Sequence, residues 1–117
     1  MSLDDFRHEA LAEVGSTNTE CLERARKGAL SGLWITAERQ TGGRGRRGRA
    51  WFSEPGNLYA SLLLTEAAPL DRLGSLPLAV AVAVQAAVSR IMPLDAPDVL
   101  IKWPNDILVD RRKVCGI

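Results

Sequence analysis

Apolar positions along the chain fall into short runs divided by polar and glycine-rich stretches. Ser16-Thr17-Asn18-Thr19-Glu20 reads as a helix start, because Thr17 with Glu20 three residues on fits a capping box. Leu22, Ala25 and Ala29 then share one face, and Gly28 or Gly32 can end that helix. Leu33-Trp34-Ile35-Thr36-Ala37 is β-prone and predicts a core strand. Residues 40–49 carry glycines at 42, 43, 45 and 48 and predict a long mobile loop. Residues 57–64 predict a second strand, and residues 66–73, with Pro69, a linker.

The longest apolar segment runs from Leu76 to about Ile91. Its Ala/Val alternation from Ala79 to Val84 mimics a strand, but its length and its alanines favour a helix. Pro77 suits a first helical turn, and Met92-Pro93 stops the element. The expectation is a buried helix. Val99-Leu100-Ile101-Lys102 predicts a third strand, and Pro104-Asn105-Asp106 a turn. Ile107-Leu108-Val109 and Val114-Cys115-Gly116-Ile117 predict a hairpin around Asp110-Arg111-Arg112. The class is α+β, a mixed or antiparallel sheet with flanking helices.

Composition narrows the function without naming it. The 117 residues, 46% apolar, suit one globular domain or a piece of one. With 15 Lys+Arg against 14 Asp+Glu, no whole-molecule field points to nucleic acid or a membrane. The apolar segment falls short of the ~20 residues a membrane span needs, and the charged amino terminus has no signal-peptide core. Cys21 and Cys115 form no Cys-x-x-Cys pattern and read as two free thiols in a reducing cytosol. A soluble cytoplasmic protein is expected.

Charge is placed unevenly. Arg39, Arg44, Arg46, Arg47 and Arg49 crowd one glycine-rich stretch that contains no acid. Guanidinium forks bind phosphate oxygens in pairs, and glycines let backbone N–H groups approach, so a local anion site is the natural reading. No Lys-Ser or Lys-Thr pair follows these glycines, which excludes a Walker A loop. Gly43-Arg44-Gly45-Arg46-Arg47-Gly48 has dinucleotide-fingerprint spacing, but Trp51-Phe52 and Pro55-Gly56 do not open a helix after it. A second cluster is Lys102-Trp103-Pro104-Asn105-Asp106 with Lys113, which a hairpin returns toward the proline turn.

Four motifs in order resemble the biotin–protein ligase family. They are Ser16-Thr17-Asn18 before a helix, Gly43-Arg44-Gly45-Arg46-Arg47-Gly48-Arg49-Ala50-Trp51 followed by Asn57-Leu58-Tyr59, Lys102-Trp103-Pro104-Asn105-Asp106, and Lys113 ahead of Gly116. The resemblance implies the amino-terminal part of a class II aminoacyl-tRNA-synthetase-like catalytic domain. It implies ATP with Mg2+, biotin as substrate, biotinyl-5'-AMP as intermediate, and a lysine of a biotin carboxyl carrier protein as acceptor. By resemblance, Ser16, Thr17, Asn18 and Gln40 hold biotin's polar end. Gly43, Arg44, Gly45 and Arg46 belong to the biotin- and adenylate-binding loop, with Lys113 and Gly116 completing the biotin contacts. Arg46 and Lys113 contact carboxylate and α-phosphate. Arg44, Arg47, Arg49, Trp51 and Asn105 lie on the nucleotide side. Asp106 orients the acceptor amine or a metal-bound water. No metal ligand set is named, and a homodimer stays open.

The same residues have plainer readings. Ser16 and Thr17 serve as helix caps, Lys113 as an exposed hairpin lysine, and Trp51 and Trp103 as core aromatics. The arginine loop reads as a solvated loop or an RNA-binding arm. His8 reads as surface with no partner, and Asp4, Asp5 and Glu9 as a solvated face. A lipoate or other carboxylate-adenylating ligase is the nearest enzymatic alternative. The chain leaves no room for the winged helix-turn-helix that some relatives carry, and family catalytic domains continue past Ile117. On that ground the 117 residues alone are expected to be inactive or poorly folded.

Overall fold

The computed structural model describes residues 2–117 and divides the chain into two compact units, one up to Ala67 and one from Ala68 to Ile117. The first unit is a βαβ unit plus a returning strand: β1 (Arg7–Val14), α1 (Thr17–Arg26), β2 (Leu33–Gln40) and β3 (Tyr59–Leu63). Strands β1 and β2 run parallel, β2 and β3 antiparallel, in the order β1-β2-β3. A parallel pair needs a crossover, and α1 supplies it. Leu33, Ile35 and Ala37 alternate toward the helix, where Cys21, Leu33, Ile35 and Leu63 form the core and Leu11, Ala25 and Ala29 pack on it.

Two sequence expectations change in this unit. Strand β1 was not anticipated, because its exposed edge mixes charges and alanines and only Leu11 and Val14 are strongly apolar. Glu9 is more than a solvated charge: it faces α1 and pairs with Arg24 at 3.1 Å. His8, read as unpartnered, hydrogen-bonds Thr36 Oγ1 at 2.7 Å across the parallel pair. The helix cap is Ser16, whose hydroxyl accepts from the Thr19 N–H at 3.4 Å; Thr17 is the first helical residue. Helix α1 ends where Gly28 takes φ +88°, a conformation open to glycine.

The second unit is an α-helix followed by a three-stranded meander. A 3-10 turn (Leu70–Ser75) leads into α2 (Leu76–Ile91), then β4 (Val99–Lys102), β5 (Asp106–Val109) and β6 (Arg112–Gly116) pair antiparallel in order. The two-residue β5–β6 turn has Asp110 and Arg111 both at positive φ, the requirement of the tightest hairpin connections. Ala81, Val99 and Ile107 are its buried centre, with Val84, Val88, Met92, Val109 and Cys115 packed around them.

The helix bounds agree with the sequence, but its burial does not. Only Ala81 of α2 is buried, while Leu78, Val82 and Ile91 are exposed among the described residues. The length argument changes too. With its leading turn, the helical stretch Leu70–Ile91 has 22 residues and is, by length and composition alone, long and apolar enough to cross a membrane.

Candidate functional site

Parallel β1 and β2 both point their carboxyl ends at the start of α1, which follows β1 after the two residues Gly15 and Ser16. Backbone bonds from Thr41 N–H to Val14 O (2.9 Å) and from Gly42 N–H to Gly15 O (2.6 Å) extend the ladder past β2. Carboxyl ends of parallel strands beside a helix amino terminus are where α/β sheets bind ligands, because the uncommitted helix N–H groups carry partial positive charge. Ser16 and Thr17 sit there, both buried.

Gln40 joins them. Its amide oxygen accepts from the Thr17 N–H at 2.8 Å, and its Nε2 donates to Ser53 Oγ at 3.0 Å. Thr17 Oγ1 meets Ser61 Oγ at 2.8 Å. The predicted grouping of Ser16, Thr17 and Gln40 is therefore a real cluster. Ser53 and Ser61 were missed by sequence reasoning, because a single serine in a loop or strand gives no signal of its own.

The arginine–glycine stretch is more organised than an open loop. Gln40 pairs with Ser53 and Arg44 with Ala50 as antiparallel bridges, and a 3-10 turn (Arg46–Gly48) closes the tip, with Arg47 at φ 58° and Gly48 at φ 70°. Gly43 is buried: a Cβ there would lie 2.5 Å from Ser53 Oγ and 2.7 Å from Trp51 O. The arginines divide into two kinds. Arg39 is a strand residue flanked by Glu13 at 3.2 Å and Glu54 at 3.7 Å, so it leaves the predicted anion cluster. Arg44, Arg46, Arg47 and Arg49 are exposed, and among the described residues none has a carboxylate partner. Arg44 reaches Thr19 Oγ1 in the first turn of α1 at 3.5 Å. Asn18, beside it in that turn, is exposed. Trp51 is half-buried at 38% exposure.

A separate cluster lies in the second unit. The β4–β5 connection holds Trp103, the cis-linked Pro104 and Asn105. Trp103 is 74% exposed, which overturns its reading as core. Asn105 clamps the end of the sheet: its Nδ2 donates to Ile117 O, and its carbonyl accepts the Ile117 N–H, each at 2.9 Å. Lys113 Nζ pairs with Asp106 Oδ1 at 2.9 Å, as the hairpin predicted, and Gly116 faces Asp106 across the ladder. Burial pushes the Cys115 thiol above the usual range, a shift the Lys113 ammonium partly opposes.

Among the described residues no group of three or more His, Cys, Asp or Glu is placed to hold a metal ion. A hollow of about 580 Å3 in the first unit, lined by Ala10, Thr36, Ala37, Pro55 and Asn57 among others, includes none of the predicted site residues.

The chain is similar to known proteins over most of its length. The bifunctional ligase/repressor BirA of Escherichia coli is 43% identical over 118 residues, covering 98% of this chain and 35% of the relative. The biotin–[acetyl-CoA-carboxylase] ligase of Mycobacterium tuberculosis is 36% identical over 115 residues, covering 93% of this chain and 42% of the relative. The chain thus spans well under half the length of these relatives. Among solved structures, biotin protein ligase from Leishmania major in complex with biotinyl-5-AMP superposes with a TM-score of 0.79 at 31% identity, covering 94% of this chain and 50% of that one. The Aquifex aeolicus ligase in complex with biotin and ATP gives a TM-score of 0.78 at 35% identity, covering 94% and 44%. The sequence profile of the Biotin/lipoate A/B protein ligase family matches residues 11–117, nearly the whole length, and the chain belongs to that family.

Proposed function

We propose that the protein containing this chain activates biotin with ATP and transfers it to a protein lysine. Biotin carboxylate attacks the α-phosphate, the bond to pyrophosphate breaks, and biotinyl-5'-AMP forms. The lysine amine of a biotin carboxyl carrier protein then attacks the anhydride carbonyl, and AMP leaves. The observation that carries this reading is the mounting of the arginine–glycine stretch. Among the described residues Arg44, Arg46, Arg47 and Arg49 lack acidic partners, while the base of the stretch is fixed by the bond from Gln40 to the buried Ser53 beside the amino terminus of α1. That arrangement offers polar contacts to a small neutral head and cations to phosphate at its margin.

Roles follow from chemistry. Ser16, Thr17, Asn18 and Gln40 take biotin's polar end, and Gly43, Arg44, Gly45 and Arg46 the adenylate side. Arg47, Arg49 and Trp51 serve the nucleotide. In the second unit, Lys113 is a cation for carboxylate and phosphate oxygen, and its partner Asp106 holds it and receives a proton from the acceptor amine. Asn105 and Gly116 keep that hairpin end in shape. Magnesium would accompany ATP and help neutralise its phosphate charge. The reading places the protein in the cytoplasm, where free thiols at Cys21 and Cys115 persist. Helix α2 fits a globular domain: Ala81, Val84 and Val88 pack on its sheet, and Gln85 donates to Val99 O at 2.9 Å.

Calorimetry of the complete protein with biotin and with lipoate tests the assignment. Saturable biotin binding is expected, and saturable binding of lipoate alone would contradict it.

A further inference from the structure

Ser53 is 3% exposed and lies at the centre of a polar chain to which the roles above give no further part. Its hydroxyl contacts Gln40 Nε2 at 3.0 Å and the Trp51 carbonyl at 3.1 Å. The direction of the chain is fixed by its ends. A backbone N–H only donates, so the Gln40 amide oxygen faces Thr17 and its NH2 group faces Ser53. A carbonyl only accepts, so the one Ser53 proton goes to Trp51 and its lone pairs are left for Gln40. Trp51 in turn donates its N–H to Gly43 O at 2.9 Å, and Gln40 donates its own to Ser53 O at 3.0 Å. Each link thus constrains the next, from the first turn of α1 to the base of the arginine stretch.

The carboxamide nitrogen carries two protons, and Ser53 takes one. The second has no protein partner among the described residues, so Gln40 meets a ligand as a donor. We propose that Ser53 is a positioning residue for biotin: it holds Gln40 with its NH2 group turned toward the ligand and so selects an acceptor oxygen, that of a ureido or carboxylate group. This rests on the biotin-ligase reading. Without the Ser53 oxygen, the amide would keep its oxygen on the Thr17 N–H but lose the acceptor that anchors its NH2 group. Ser53 Oγ also packs closely on Gly43, 2.5 Å from where a Cβ there would lie.

The test uses Ser53→Ala and the milder Ser53→Cys in the complete protein, with two readouts. One is the Gln40 side-chain NH2 signal by NMR, and the other is affinity for biotin and ATP by calorimetry. In Ser53→Ala the Gln40 signals shift and exchange faster with solvent, biotin affinity falls about tenfold, and ATP affinity stays within about twofold. Ser53→Cys falls between, and carries the test if the alanine variant does not fold. Unmoved Gln40 signals overturn the proposal whatever the affinities do. Moved signals with unchanged biotin affinity also overturn it, since they confine Ser53 to structure. Absence of biotin binding by the wild-type protein is a different failure: it sinks the ligase reading, and biotin as the positioned ligand with it.

Discussion

Gly43 and Gly45 read alike in the sequence, as two glycines of one flexible stretch, and the structure separates them. A Cβ at Gly43 would meet Ser53 Oγ and the Trp51 carbonyl well inside contact distance, and the carbonyl is backbone that cannot swing aside. At Gly45 the nearest atom is 3.6 Å away, and its backbone is extended, open to any residue. Gly43→Ala should therefore destabilise the protein by about 1–3 kcal/mol and weaken biotin binding. Gly45→Ala should stay within about 0.5 kcal/mol. Thermal unfolding with calorimetry checks both, and equal effects would contradict the geometry. Lys113 makes a further prediction through its neighbour. Burial holds the Cys115 thiol protonated above the usual thiol range, and the Lys113 ammonium pulls it back. Lys113→Ala removes only the opposing charge, so the thiolate forms at still higher pH. The pH profile of Cys115 alkylation should shift upward, and a downward shift would contradict that sign.

At the scale of elements, the sequence was readable wherever apolar spacing and turn residues agreed. Helix α2 ends where Met92-Pro93 says it should, and the β5–β6 hairpin turns at Asp110-Arg111. Strand β1 escaped notice because a strand with one exposed face and alanines on it carries little alternation, and its partner β2 is 19 residues further on, past a helix. The cap of α1 shifted by one residue because Ser16 and Thr17 both have capping chemistry. Thr17 instead donates its N–H to Gln40 and its hydroxyl bonds the Ser61 hydroxyl, contacts no local pattern encodes. Ser16→Ala should then cost about 1 kcal/mol as a lost cap. Thr17→Ala should leave both the cap and the backbone bond to Gln40 intact and remove only the hydroxyl contact with Ser61. Denaturant titration alongside helix content separates them, and identical losses of helix would count against the assignment.

For the molecule as a whole, the family was legible because four motifs kept their order across the chain. The exposure of α2 was not, because apolar composition says that a face seeks cover and nothing about whether it is covered. The sorting of the arginines was equally hidden, since Glu13 and Glu54 lie far from Arg39 in sequence on either side. The central chemical step of the proposed function is the joining of biotin's carboxylate to the α-phosphate of ATP. Isotope exchange between pyrophosphate and ATP, measured on the complete protein with and without biotin, tests it most directly. Exchange that requires biotin, and that falls about 10²-fold or more in Lys113→Ala, is the predicted result. Exchange that ignores biotin, or that survives Lys113→Ala at the wild-type rate, would contradict it.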